Sequence, residues 1–169
     1  LLWQRRLLNR VSLQAQAIRE NEERLQLVFE GSQDGFWDWD VTSGRIMRSP
    51  RWASMLGYTL EEIGRGRNSF VDLIHPDDLP LVLADEKLMD EGKDFYAHEF
   101  RMRAKSGEWK WILDRGKVVA RDPVTRLPLR IAGTHTDVTA RKQAEEAADK
   151  LEQKMRETQK LESLGVLAG

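Results

Sequence analysis

Polar and apolar positions change period along the chain. Over residues 1–30, Leu8, Val11, Ala15, Ile18, Leu25 and Phe29 recur in alternating steps of three and four, with Glu22 as the polar exception. Arg5, Arg6, Arg10, Arg19, Glu20, Glu23 and Arg24 fill the other faces, and no Gly or Pro interrupts before Gly31. This spacing predicts a long amphipathic helix. Its seam either pairs with a second copy in a parallel two-stranded coil or lies against its own domain. Leu1, Leu2 and Trp3, followed by Arg5 and Arg6, also fit the end of a membrane span with its basic flank. No apolar run in the chain approaches the ~18 residues of a complete span.

From Gly31 the period falls to two. Phe36 to Val41 alternates as a strand, Thr42-Ser43-Gly44 turns, and Arg45-Ile46-Met47 opens a second strand that Pro50 stops. Trp52, Met55 and Leu56 form a helical patch ending at Gly57. Thr59-Leu60-Glu61-Glu62 has the form of a capping box that opens another short helix, closed by Gly64. Residues 64–69 read as a loop. His75-Pro76-Asp77-Asp78 suits a first helical turn, with the two carboxylates placed by the helix dipole, and Leu79 to Met89 continues it up to Gly92. Tyr96, His98, Phe100 and Met102 then alternate with Ala97, Glu99, Arg101 and Arg103. Ser106-Gly107 turns into a partner strand from Trp109, in which Gly116 reads as a bulge, and Leu127 to Thr136 supplies the last strand. Two strands, short helices, then three strands give an α+β fold with an antiparallel sheet.

After Thr139 the pattern is helical to the end. Ala144, Ala148, Leu151, Met155 and Thr158 keep the three-four spacing, and Leu161, Leu164 and Ala168 continue it in a shifted phase. Glu146–Lys150 and Glu152–Arg156 are favourable i,i+4 pairs. The chain therefore divides into an N-terminal helix at 1–30, a domain at 31–140 and an exit helix at 141–169.

Composition narrows the chemistry. Lys and Arg number 27 against 28 Asp and Glu, a net charge of -1 that argues against a polyanion partner such as nucleic acid. The absence of Cys removes disulfides, thiolate metal sites, Cys nucleophiles and cysteinyl adducts together. Charged residues at 33% exceed what one compact globule needs, in keeping with solvated helices outside it. Gly64 and Gly66 begin a G-x-G, but Ser69 stands at the third position of a dinucleotide fingerprint and no long strand precedes it. His75, His98 and His135 form no i,i+4 metal pair. No catalytic set and no metal site are expected. The chain starts at Leu1 rather than Met and ends at Ala168-Gly169, so it reads as a piece of a longer protein.

Four segments in order resemble one family. Trp37-Asp38-Trp39-Asp40, Leu56-Gly57-Tyr58-Thr59-Leu60-Glu61-Glu62, Ile74-His75-Pro76-Asp77-Asp78, and Gly133-Thr134-His135-Thr136-Asp137-Val138-Thr139 are similar to a PAS domain with its PAC segment, of the Trp-rich, HPDD-containing kind. The resemblance implies a five-stranded antiparallel sheet with short helices over one face, flanked by amphipathic coiled-coil helices. It also implies that Asp137 and Thr139 couple the last strand to the exit helix; chemically, an Asp and a Thr there can occupy orphan amides of the first helical turn. Gln159 to Gly169 resembles the segment just before the phosphoacceptor histidine of sensor histidine kinases.

That resemblance raises cofactor questions. Some PAS domains place an axial haem His on their long helix, and His75 is the candidate here, though HPDD also serves as a plain helix-start signature. Arg67-Asn68-Ser69-Phe70 resembles the flavin-photoreceptor motif with Ser69 in place of the adduct-forming Cys, and the last strand has no Gln. No cofactor is expected. Trp37, Trp39, Phe70, Tyr96, His98, Phe100 and Trp111 are the expected lining of a pocket between sheet and helices, with His98 its polar handle; the alternative is that Trp37, Trp39, Trp109, Trp111, Phe100 and Tyr96 simply fill the core.

The reading that follows is a sensory or relay PAS domain of a two-component sensor histidine kinase. It would dimerise through Leu8, Val11, Ala15, Ile18, Leu25 and Phe29, act on a kinase domain in the same chain and a response regulator, and take an unidentified small ligand. Such a domain is expected in the cytoplasm, with its parent protein anchored in the inner membrane. The alternatives are a constitutive dimerising spacer and a PAS domain of another output class, such as a diguanylate cyclase.

Overall fold

The computed structural model describes residues 2–168, with side chains through residue 165; Leu1, Gly169 and the Ala168 side chain, invoked above, lie outside the described residues. Helix α1 (Leu2–Ser32) continues through Gly31, two residues past the expected end of the heptad segment. Strands β1 (Gly35–Asp40) and β2 (Arg45–Arg48) form a hairpin. Four short or medium helices follow: α2 (Pro50–Ser54), α3 (Leu60–Ile63), α4 (Asn68–Val71) and α5 (Leu79–Asp90). Strands β3 (Phe95–Arg103), β4 (Trp109–Arg121) and β5 (Pro128–Asp137) make a meander, and α6 (Thr139–Ala168) leaves from the end of β5.

The five strands pair antiparallel in the order β2-β1-β5-β4-β3, so the last strand inserts beside the first and closes the sheet. The expected α+β, five-stranded fold is the fold observed. One face carries the core: Trp52, Leu56, Ile63, Ile74, Val82 and Met89 from the helical segment pack on Trp37, Tyr96, Phe100, Met102, Ile112, Val118 and Ile131.

Local chemistry sets the element ends. Pro50 does not merely stop β2; it opens α2, with the Ser49 hydroxyl accepting from the Trp52 amide at 3.3 Å. The capping box at Thr59 and Glu62 forms in both directions. The expected loop at 64–69 gives way at Asn68 to the single turn of α4.

Two readings are corrected. Asp78 makes no cap bond, although it precedes α5. Its carboxylate instead accepts from the Arg101 amide at 2.8 Å and from Arg101 Nε and Nη2 at 2.9 and 2.7 Å, clamping the helix start to β3. This guanidinium holds the Asp78 carboxyl below its usual range. Gly116 is not a bulge, because β4 runs straight through it and the irregularity falls between Val118 and Arg121. A Cβ at Gly116 would drive into the Tyr96 ring, and one at Gly133, its partner on β5, into the Arg115 carbonyl and the Trp37 ring. The two glycines let aromatic rings from β3 and β1 lie flat across the middle of the sheet.

Candidate functional site

Register brings polar residues together on the inner face. Trp37 pairs with Arg48 on one side and Gly133 on the other, Gly133 with Gly116, and Gly116 with Tyr96. One row along, Gly35 pairs with His135, His135 with Asp114, and Asp114 with His98. Residues far apart in sequence thus meet in two adjacent cross-strand rows.

Asp114, only 2% exposed, is the hub. Its Oδ1 accepts from Trp37 Nε1 at 3.2 Å and its Oδ2 from the Tyr96 hydroxyl at 3.0 Å, while His135 Nε2 lies 3.2 Å from Oδ1. A buried carboxylate needs this set of partners, since an unpaired one would cost several kcal/mol. Burial and the neighbouring Asp114 charge push the Tyr96 hydroxyl well above its ordinary pKa, so it remains a donor. Asp85 of α5 accepts from Lys93 Nζ at 3.4 Å. Its second oxygen lies against His98 Nδ1 without the direction of a hydrogen bond, so both His98 ring nitrogens are unpartnered.

These rows floor a cavity of about 40 Å³ between sheet and helices. Of the expected lining, Trp37, Trp39, Phe70, Tyr96 and His98 border it. Phe100 is fully buried beneath, edge-on to Phe70 and His135 at 5.9 Å from each. Trp111 belongs to the opposite face, because its strand phase is that of Leu113 rather than of Ile112 and Asp114. There it meets Arg101 and Lys142, whose charges lie 5.4 and 5.0 Å from its ring centre.

Pattern reading passed over the rest of the lining, most consequentially Arg48, Trp52, Asp114 and His135. Arg48 is 7% exposed and donates to the Gly64 and Gly66 carbonyls at 3.0 and 3.2 Å and to the Ser69 hydroxyl at 3.5 Å. Its guanidinium stacks 4.7 Å above the Trp52 ring, and burial pushes its pKa down to about 10, which leaves it charged at neutral pH. At the more open side of the cavity, Arg67 grips Glu86 with contacts of 2.5 to 3.1 Å.

His75 stands apart from the cavity. Its Nδ1 accepts from the Asp77 amide at 3.2 Å and its ring meets Trp109 at 4.5 Å. Ser69 spends its hydroxyl on the Gly66 carbonyl at 2.6 Å. Among the described residues no cluster of His, Asp or Glu is arranged to hold a metal, and no helix is long and apolar enough to cross a membrane.

The strand that carries His135 also roots α6. Asp137 Oδ1 accepts from the Thr139 amide at 3.0 Å, and its Oδ2 takes Lys110 Nζ at 2.9 Å, while that amine also donates to the Met55 carbonyl at 2.7 Å. Thr139 differs from the expected capping role: its hydroxyl accepts from the Trp111 amide at 3.0 Å, tying the helix to β4. Glu99 of β3 then holds Arg141 and Lys142 of the first turns.

Comparison with known proteins agrees with this geometry. The family model described as the PAS fold matches residues 45–135. The chain is 36% identical over 121 residues to the methyl sulfide methyltransferase-associated sensor of Methanosarcina acetivorans, covering 71% of this chain and 11% of that protein. It is 28% identical over 134 residues to the blue-light-activated histidine kinase of Brucella anthropi, covering 78% of this chain and 25% of that one. A crystal structure of a sensory box histidine kinase/response regulator from Burkholderia thailandensis superposes with a TM-score of 0.68 at 34% identity, over 79% of this chain and 98% of the other. The chain thus spans a quarter or less of these two curated relatives.

Proposed function

The chain belongs to the PAS fold family, and from that premise we propose that it is the sensory or relay module of a two-component sensor histidine kinase, passing changes in inner-face packing to α6. The observation that carries this reading is the double duty of β5. His135 faces the cavity and Asp114, and two residues later Asp137 fixes the first amide of the helix. Successive odd positions of one strand share a face, so a displacement of His135 carries Asp137 with it. The receiving helix needs only a small bias, because output states separated by a few kcal/mol respond to losses of about 1 kcal/mol.

In this scheme α1 and α6 pair with those of a second copy, the kinase domain and its response regulator act downstream, and the cavity admits a small ligand. The scheme uses no thiol adduct, since the chain has no Cys, and no ligand to His75, which lies outside the cavity.

The test uses the full-length parent carrying Asp137→Ala. The isolated PAS domain should still fold, as judged by thermal unfolding, while autophosphorylation becomes the same with and without stimulus. A variant that keeps the wild-type response would instead support a spacer whose signal bypasses this junction.

A further inference from the structure

The polar atoms around the cavity do not balance. Its three carboxylates are already engaged: Asp114 by Trp37, Tyr96 and His135, Asp85 by Lys93, and Glu86 by Arg67. The donors are not. Trp39 Nε1 and Trp52 Nε1 are buried without an acceptor, and an indole N–H can only donate. Arg48 uses three of its five N–H groups, all on neutral oxygens, and has no carboxylate within ion-pairing distance among the described residues. Asp114 lies in the next cross-strand row, bonded to Trp37, which is Arg48's own neighbour. A buried cation without a counter-charge beside orphaned donors is costly unless something supplies acceptors and negative charge.

Size limits what can do so. A water molecule needs roughly 10–15 Å³ of such space, so about 40 Å³ takes the equivalent of about three waters. Resting on the reading of the cavity as a ligand site, we propose that it binds a small monocarboxylate of about acetate size, with Arg48 as counter-ion and the Trp39 and Trp52 N–H groups as additional donors. Entry runs past the Arg67–Glu86 pair, whose side chains are 28% and 27% exposed.

The experiment follows the indole N–H resonances of the purified chain by NMR while sodium acetate is added at constant ionic strength, with acetamide as the neutral isostere. Acetate should shift the Trp39 and Trp52 indole signals saturably, and acetamide should bind at least tenfold more weakly. Arg48→Gln should weaken acetate at least tenfold and erase the preference over acetamide. Trp52→Phe removes the indole N–H but leaves an aromatic ring, tests the proposal through the Trp39 signal should the Arg48 variant not fold, and should weaken acetate several-fold.

Acetamide binding as well as acetate would overturn the anion assignment while leaving the cavity a ligand site. Acetate binding unaltered by either substitution would overturn it too. If neither probe moves an indole signal, the small-carboxylate proposal fails, and relay through β5 is judged separately by Asp137→Ala.

Discussion

The two long helices are attached to the PAS core in different ways. α6 leaves β5 through directional polar bonds: Asp137 between Lys110 and the Thr139 amide, the Thr139 hydroxyl on the Trp111 amide, and Glu99 on Arg141 and Lys142. α1 buries no residue of its own. It meets the sheet where Phe29 packs on Phe36, with ring centres 4.8 Å apart, and Asp34 just beyond it accepts from the Thr136 hydroxyl. Leu8, Val11, Ile18 and Leu25 remain exposed along its seam. Hydrogen bonds to residues of the helix itself fix an angle, whereas α1 has only an apolar stack, its polar ties falling on Gln33 and Asp34 beyond its end. A shift in β5 therefore reaches α6 with a direction, and α1 takes its orientation from whatever covers its seam.

The largest expected effect comes from damaging the core that only α6 depends on. Gly133→Ala overpacks the sheet against Trp37 and should cost about 3 kcal/mol, lowering the core's thermal midpoint by roughly 10–20 °C. Circular dichroism should show the signal of α1 surviving to a separate, higher transition. A single transition that takes all the helix with it would break the comparison.

Next comes the seam. Val11→Glu with Ile18→Glu places charges at two contact positions of the heptad and should weaken self-association by at least a hundredfold, about 2.7 kcal/mol. Light scattering should then report monomers at micromolar concentration while the core's midpoint stays put. An unchanged dimer mass would mean that other surfaces hold the two copies together.

Acid should act on the α6 junction more gently. Burial raises the Asp137 pKa, but bonds from Thr139 and Lys110 more than offset it, leaving the folded value below the ordinary 3.8. A depressed folded pKa means that the stabilisation is complete above the ordinary value and is lost as pH falls through the folded one. Below about pH 4, the protection of the Thr139 and Lys142 amides relative to their intrinsic exchange should fall, reflecting loss of about 1 kcal/mol, and Asp137→Asn should remove that step. Protection that is flat with pH would assign the hold to Thr139 and Glu99.

Glu99→Gln should have the smallest effect. Its ion pairs are partly exposed and worth about 0.5 kcal/mol, so global stability should barely change while exchange in the first turn of α6 increases modestly. No change in either would leave Asp137 and Thr139 as the whole attachment.

Elements were legible in the sequence where local chemistry decides them. The Thr59–Glu62 box, the turn at Ser106-Gly107 and the alternation from Tyr96 to Met102 all use neighbours within a few residues. The site was legible only in part, because its membership depends on register. His98 and Tyr96 announce themselves by phase, but Asp114 and His135 join them only through pairing with strands remote in sequence. Phase counting alone would have recovered both, since Asp114 keeps step with Ile112 and Val118, and His135 with Ile131. The same count places Trp111 outside, where its hydrophobicity misleads. Arg48 gives no such signal: a charge at an inward position ordinarily argues against a buried strand, and here loop carbonyls 16 and 18 residues away receive it.

The pairing of rings with glycines also constrains how such a chain can diverge. Tyr96 alone occupies the space that a side chain at 116 would need, while at 133 the Arg115 carbonyl and the Trp37 ring both do. Enlarging either glycine while its ring remains creates a clash, and shrinking either ring while its glycine remains opens a void. Both single steps are penalised, so Tyr96 and Gly116 can be exchanged only together or by way of a weakened intermediate. Related sequences should therefore vary at 96 and 116 as a linked pair, whereas 133, blocked by the Arg115 carbonyl as well as by Trp37, should stay Gly whatever stands at 37, and a survey of natural variants can look for both patterns without any protein being made.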